Sequence, residues 1–123
     1  MQILLIEDND DIREVAQISL EAVGGWQVVT AASGADGLVK AGETRPDAIL
    51  LDVMMPDMDG PSTLSRLRGQ PATADIPVVF LTAKAQPTEI QDLKNLGAVG
   101  LISKPFDPMT LPGEVSRLLG WDR

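Results

Sequence analysis

Residues 48–52 read Ala48-Ile49-Leu50-Leu51-Asp52, followed by Val53-Met54-Met55-Pro56-Asp57-Met58-Asp59-Gly60. The aliphatic run is too short for a helix and shows no alternation of apolar and polar positions. It predicts a strand buried on both faces, as in a parallel sheet. The carboxylate that closes it stands where the strand gives way to a stretch rich in Pro, Asp and Gly. Ile3–Ile6, Val78–Leu81 and Val99–Ile102 have the same character, the last interrupted by Gly100. Trp26–Ala31 is more mixed and is expected at an edge of the sheet.

The segments between these runs carry helical spacing. Ile12, Val15, Ala16, Leu20 and Val23 predict one inward face, with Ser19 small enough to share it. Asp11 and Glu14 have capping-box spacing at its start, and Gly24 suits its end. Leu38 and Val39 predict a second, shorter helix opening near Ser33. Leu64 and Leu67 predict a third, with Pro61 tolerated in its first turn. Thr88 and Gln91 suit the start of a fourth that carries Ile90, Leu93 and Leu96 and ends at Gly97. Asp107-Pro108 is expected to open a fifth, with Met109, Val115, Leu118 and Leu119 inward, although Pro112-Gly113 complicates that start. A strand–helix unit repeated five times predicts an α/β fold with helices on both sides of a parallel sheet and right-handed crossovers. No linker, repeat or low-complexity stretch divides the chain, and one domain over residues 1–123 is expected.

Composition narrows the chemistry. The chain has 18 acidic and 10 basic residues and a net charge of −8, with no Lys/Arg cluster. That balance argues against direct binding to nucleic acid or to an anionic membrane. Without Cys or His there is no disulfide, no thiolate or imidazole metal site and no Ser–His triad. No apolar run approaches the roughly 18 residues of a membrane span. The acidic N-terminal region does not resemble a signal peptide, so a cytoplasmic protein is expected.

In open α/β sheets, ligands bind at the carboxyl ends of the strands. Glu7 and Asp8 follow the first predicted strand, Asp52 the third, Thr82 the fourth and Lys104 the fifth. Each alone reads most simply as a loop residue, a helix cap or a surface charge. Their convergence on one sheet edge is what points to a site. Carboxylates so close repel one another, and at least one pKa must rise unless a cation intervenes. An all-oxygen donor set suits Mg²⁺. Mg²⁺ with an ammonium and a hydroxyl can hold a phosphoryl group, and a carboxylate can accept one. Asp52, ending the third of five strands, is the candidate nucleophile.

Taken in order, Ile6-Glu7-Asp8-Asn9, Leu51 to Gly60, Leu81-Thr82-Ala83 and Lys104-Pro105-Phe106 resemble the receiver domains of two-component response regulators over essentially the whole chain. The resemblance implies a flavodoxin-like, doubly wound (βα)5 fold with a five-stranded parallel sheet of order 2-1-3-4-5. It implies phosphorylation at Asp52. It implies Mg²⁺ held by Asp8, Asp52, the backbone carbonyl of Met54 and, through water, Glu7. Thr82 matches the switch hydroxyl, Lys104 the ammonium that pairs with the phosphoryl group, and Ala83 the small residue beside its entry. Lys104-Pro105 matches the family's cis peptide. Leu101 departs from the pattern, standing where the family often has a Tyr or Phe that turns inward on switching.

The resemblance further implies a phosphodonor that is a histidine kinase or a histidine phosphotransfer protein, docking on the first helix and the loops around the site. Output would pass to another protein, with possible homodimerisation through the fourth helix, fifth strand and fifth helix. The domain is expected to be a phosphoacceptor that assists its own phosphorylation and dephosphorylation, not an enzyme acting on other substrates. It reads either as a stand-alone regulator or as a receiver excised from a DNA-binding regulator or hybrid kinase. A haloacid-dehalogenase-like phosphohydrolase usually has a second Asp two residues after its nucleophile; here that position is Met54, and no cap domain is apparent. Neither a P-loop nor GxGxxG follows any strand, which argues against a nucleotide cofactor.

Overall fold

All five apolar runs form strands in the computed structural model, which describes residues 1–83 and 86–121. They are β1 (Gln2–Ile6), β2 (Gln27–Ala31), β3 (Ala48–Asp52), β4 (Val78–Thr82) and β5 (Gly100–Ser103). All neighbouring pairs are parallel and the order is β2-β1-β3-β4-β5. Every residue of β3 and β4 is buried, as unbroken apolar runs demand, whereas β2 is partly exposed at its edge.

Side-chain alternation splits the core into two layers. Leu4, Ile6, Ile49, Leu51, Val78 and Phe80 face α2 (Gly34–Thr44), α3 (Gly60–Arg68) and α4 (Pro87–Asn95). Ile3, Leu5, Leu50, Val79, Leu81 and Ile102 face α1 (Asp10–Ile18) and α5 (Leu111–Leu119). The helices therefore cover both faces, and the strand order reverses direction between β1 and β3, the position at which open α/β sheets generally bind ligands. Among the described residues, no helix is long and apolar enough to cross a membrane. Asp122 and Arg123 lie outside the described residues.

Several helix details differ from the sequence expectation. α1 starts two residues early, because the Asn9 side chain, not Asp11, accepts the Ile12 N–H as N-cap. It then widens into a π-helical turn over Ser19–Val23, with the Gly24 N–H reaching the Ser19 carbonyl. The inward stripe is thus Ala16, Ser19 and Leu20, while Val15 and Val23 are exposed. The Ser19 hydroxyl, buried by that turn, donates to the Pro108 carbonyl. α2 is the longest helix among the described residues, not a short one, because Ser33 caps it well and Gly34, Gly37 and Ala41 allow close packing. Thr88 lies inside α4 rather than capping it, since Pro87 takes the first turn; Leu96 is exposed beyond its end. α5 starts at Leu111, not at Pro108, with Pro112 in its first turn. Met109 therefore lies in the preceding turn and is 70% exposed.

Gly60 ties this packing to the loop after β3. A Cβ there would stand 2.6 Å from the Asp52 carbonyl oxygen and 2.8 Å from the Val53 Cα, both rigid backbone. Gly60→Ala is expected to destabilise the fold by about 2 kcal/mol, the usual scale of overpacking, despite alanine's better helix propensity. The urea midpoint measures this. An unchanged midpoint would mean that the α3 start can move off β3 freely.

Candidate functional site

The sequence-predicted residues meet at the carboxyl edge of the sheet. β1 ends at Ile6 and the chain runs straight into Glu7, whose N–H continues the ladder by donating to the Ala31 carbonyl at 3.0 Å. Glu7 is 1% exposed and Asp52, the last residue of β3, is 3% exposed. Oxygens of Glu7, Asp8 and Asp52 lie within 4.8 Å of one another. Lys104, just past β5, places Nζ 2.5 Å from Glu7 Oε1 and 2.8 Å from Asp52 Oδ1. Its main-chain N–H donates to the Thr82 carbonyl at 2.8 Å, which fixes the loop after β5 beside the end of β4. The Lys104–Pro105 peptide is cis.

The other candidates take distinct places. Thr82 ends β4 and is buried, and Ala83 follows it at the surface. Met54 leaves β3 with its side chain 61% exposed, so its identity is not set by packing; its N–H donates to Asp52 Oδ1 at 3.4 Å. Leu101 sits on β5 away from the carboxylates, half-buried against the layer that contains Phe80.

Charge and burial set the protonation. Burial pushes the Glu7 carboxyl up from 4.5 to about 7; Lys104 and the Asn9 N–H oppose the shift, and Asp52 adds to it. Burial pulls the Lys104 ammonium down, but its bonds to Asp52 and Glu7 carry it above the usual lysine value. The site thus holds its acidic cluster with one cation supplied from β5. A small all-oxygen set with a raised carboxyl is the donor chemistry that fits a hard divalent cation.

A family model for the response regulator receiver domain matches residues 3–116. The chain belongs to this family. The receiver domain is 38% identical over 118 residues to the DNA-binding dual master transcriptional regulator RpaA of Synechocystis sp., covering 96% of this chain and 48% of that protein. It is 36% identical over 118 residues to the alkaline phosphatase synthesis transcriptional regulatory protein PhoP of Bacillus subtilis, with the same coverage of each. It spans about half the length of the curated relatives it matches. Chemotaxis protein CheY4 of Vibrio cholerae superposes with a TM-score of 0.88 at 35% identity, covering 95% of this chain and 97% of that one. The receiver domain of sensor histidine kinase PA1611 from Pseudomonas aeruginosa, solved with a magnesium ion coordinated in the active site cleft, superposes with a TM-score of 0.85 at 31% identity over 97% of both chains.

The sequence reading missed the supports of the receiver domain's acidic loop. The Asn9 N–H donates to Glu7 Oε2 at 3.2 Å, and Arg13 reaches the Glu7 carbonyl at 2.9 Å. A signal was present: a cation near the amino end of a helix opposes the macrodipole, so Arg13 needed a tertiary partner.

The raised Glu7 predicts a pH dependence. In metal-free protein the folded state holds this proton between pH 4.5 and about 7 while the unfolded chain releases it. Stability from this group is therefore complete below 4.5 and is lost as the pH rises through about 7. The expected loss is on the order of 2 kcal/mol, and Glu7→Gln removes this component of the slope. Unfolding free energies measured with a chelator from pH 4.5 to 8.5 check it; identical slopes for wild type and Glu7→Gln would refute the assignment.

Proposed function

We propose that Asp52 is the phosphoacceptor of this receiver domain, taking its phosphoryl group from a phosphohistidine on a histidine kinase or histidine phosphotransfer protein in a Mg²⁺-dependent reaction. The observation that carries this reading is the buried Asp52 carboxylate at the end of a central strand, bonded to Lys104 and clustered with Glu7 and Asp8. An Asp52 oxygen forms the new O–P bond as the P–N bond breaks. The electron pair of the broken bond stays on the donor imidazole, and the product is an acyl phosphate. The Lys104 ammonium and the Thr82 hydroxyl act as donors to the phosphoryl oxygens as charge moves onto them. Ala83 leaves room for the group to enter. Asp8, Asp52, the Met54 carbonyl and, through water, Glu7 would hold Mg²⁺, which when bound offsets charge on carboxylate and phosphoryl oxygens. The magnesium ion in the PA1611 receiver supports this choice of cation.

The switch in this reading runs through Thr82 and Leu101. With Leu at that position, the change is carried by aliphatic repacking against the Phe80 layer and not by a turning ring. A groove of about 480 Å³, lined among others by Ile12, Val15, Ala83, Lys104 and Phe106, opens beside the site. It supports docking of the phosphodonor along α1. Exposed Leu96 and Val99, between α4 and β5, support output or homodimer contacts on the face of α4, β5 and α5. The domain acts as a signalling phosphoacceptor in the cytoplasm. The relatives named as transcriptional regulators support a receiver joined to an output domain. The deciding experiment is phosphoryl incorporation from acetyl phosphate, measured by intact mass with and without a chelator and with Asp52→Asn. The reading requires loss of incorporation in both cases.

A further inference from the structure

We infer that Arg13 is a positioning residue for the divalent-cation site: its guanidinium clamps the turn that carries Glu7 and Asp8. β2 ends at Ala31, so the ladder that takes the Glu7 N–H has no continuation to take the Glu7 carbonyl. Arg13, one turn into α1, supplies the missing donor at 2.9 Å from that carbonyl. Its second nitrogen bonds Asp10 Oδ1 at 2.5 Å. One planar, rigid group thus joins the last residue of the strand edge to the first residue of the helix, across the acidic turn.

The consequence for the site is geometric. Glu7 is held at three points: its N–H by Ala31, its carbonyl by Arg13, and its Oε2 by the Asn9 N–H. These bonds leave Oε1 aimed at Lys104 and hold the carboxylate cluster together against its own repulsion. Arg13 side-chain exposure is 21%, against 86% for Asp10, so the half of the clamp that faces the site is the shielded one. Among the described residues, Arg13 makes no hydrogen bond or ion pair with the carboxylates of Glu7, Asp8 or Asp52; it acts through the main chain.

This inference rests on the reading of Glu7, Asp8 and Asp52 as the carboxylates of a Mg²⁺ site, and wild-type calorimetry with Mg²⁺ tests that reading separately. Given wild-type binding, Arg13→Met is expected to weaken Mg²⁺ about tenfold, the scale of losing a support behind a metal ligand. Asp10→Ala, which removes only the exposed half of the clamp, is expected to stay within about twofold. Arg13→Lys keeps a donor for one partner and is expected to lose less than Arg13→Met. Glu14→Gly weakens the same helix on its exposed side and serves as the control for general destabilisation. It is expected to lower the melting temperature while keeping Mg²⁺ affinity. In metal-free protein, faster amide exchange at Asp8 and Asn9 is expected in Arg13→Met alone. Unchanged Mg²⁺ affinity in Arg13→Met, or an equal loss in Glu14→Gly, overturns the inference. If Arg13→Met does not fold, Arg13→Ala, which removes both contacts and is the better helix former, decides it: wild-type affinity and exchange in that variant overturn the clamp.

Discussion

Asp52→Asn is expected to reduce phosphoryl incorporation from acetyl phosphate to background. The side chain keeps its shape but loses the anionic oxygen that must attack phosphorus, and a neutral amide is a far weaker nucleophile. Loss of at least about a thousandfold in rate corresponds to roughly 4 kcal/mol of barrier, a modest demand for removal of a nucleophile. The variant should fold, because Lys104 keeps its partner Glu7 and the strand around Asp52 is apolar and fully buried. Far-UV circular dichroism verifies that. Incorporation at the wild-type rate would move the acceptor elsewhere, and peptide mapping would then show whether the neighbouring Thr82 or the loop residue Asp57 carries the group.

Lys104→Met should give the second large effect, and its sign depends on the cation. Without metal, the variant leaves Glu7 and Asp52 buried together without their shared ammonium. Breaking a buried ionic cluster on one side commonly destabilises by several kcal/mol. Glu7 already sits near 7, and protonation relieves part of that penalty. The expected loss is therefore about 2 kcal/mol at pH 8 and much less at pH 5. Mg²⁺ should reverse the order. The ammonium bonds two of the three clustered carboxylates, so its removal takes away a like charge that competes with the cation. Mg²⁺ affinity is expected to rise about tenfold, and most of the stability should return at saturating Mg²⁺. Phosphorylation should nevertheless slow, because the donor to the phosphoryl oxygens is gone. Chemical denaturation at two pH values, with and without Mg²⁺, separates these effects. Weaker Mg²⁺ binding in Lys104→Met would contradict the competition.

The strands were legible because burial on both faces leaves a direct signature: Ile3–Ile6, Ala48–Leu51 and Val78–Leu81 are short, unbroken aliphatic runs. The site was legible for a related reason. Glu7, Asp52, Thr82 and Lys104 each stand at the end of such a run or just beyond it, and parallel strands bring their carboxyl ends to one edge. Helix boundaries were less legible. Asp11 and Thr88 had suitable spacing for caps, yet Asn9 and Pro87 took the starts, because capping depends on local backbone geometry that many nearby polar residues can satisfy. Val15, Val23 and Met109 looked inward from periodicity alone and proved exposed; a π-helical turn sets the direction of Val23 and the loop before α5 that of Met109.

From sequence alone came the alternation of strands and helices, the residues of the candidate site at the carboxyl edge and the lack of any imidazole or thiol side chain. Residue type and its place along a strand are local properties, and they suffice for those conclusions. Tertiary structure decided how the edge is organised. It set Lys104 between Glu7 and Asp52, raised Glu7 toward neutrality, and brought Arg13 to a carbonyl that the sheet leaves without a ladder partner. Those features depend on distances between groups up to 97 residues apart and on how much water reaches them. Neither quantity is written in the order of residues; both appear only when the strands are packed side by side.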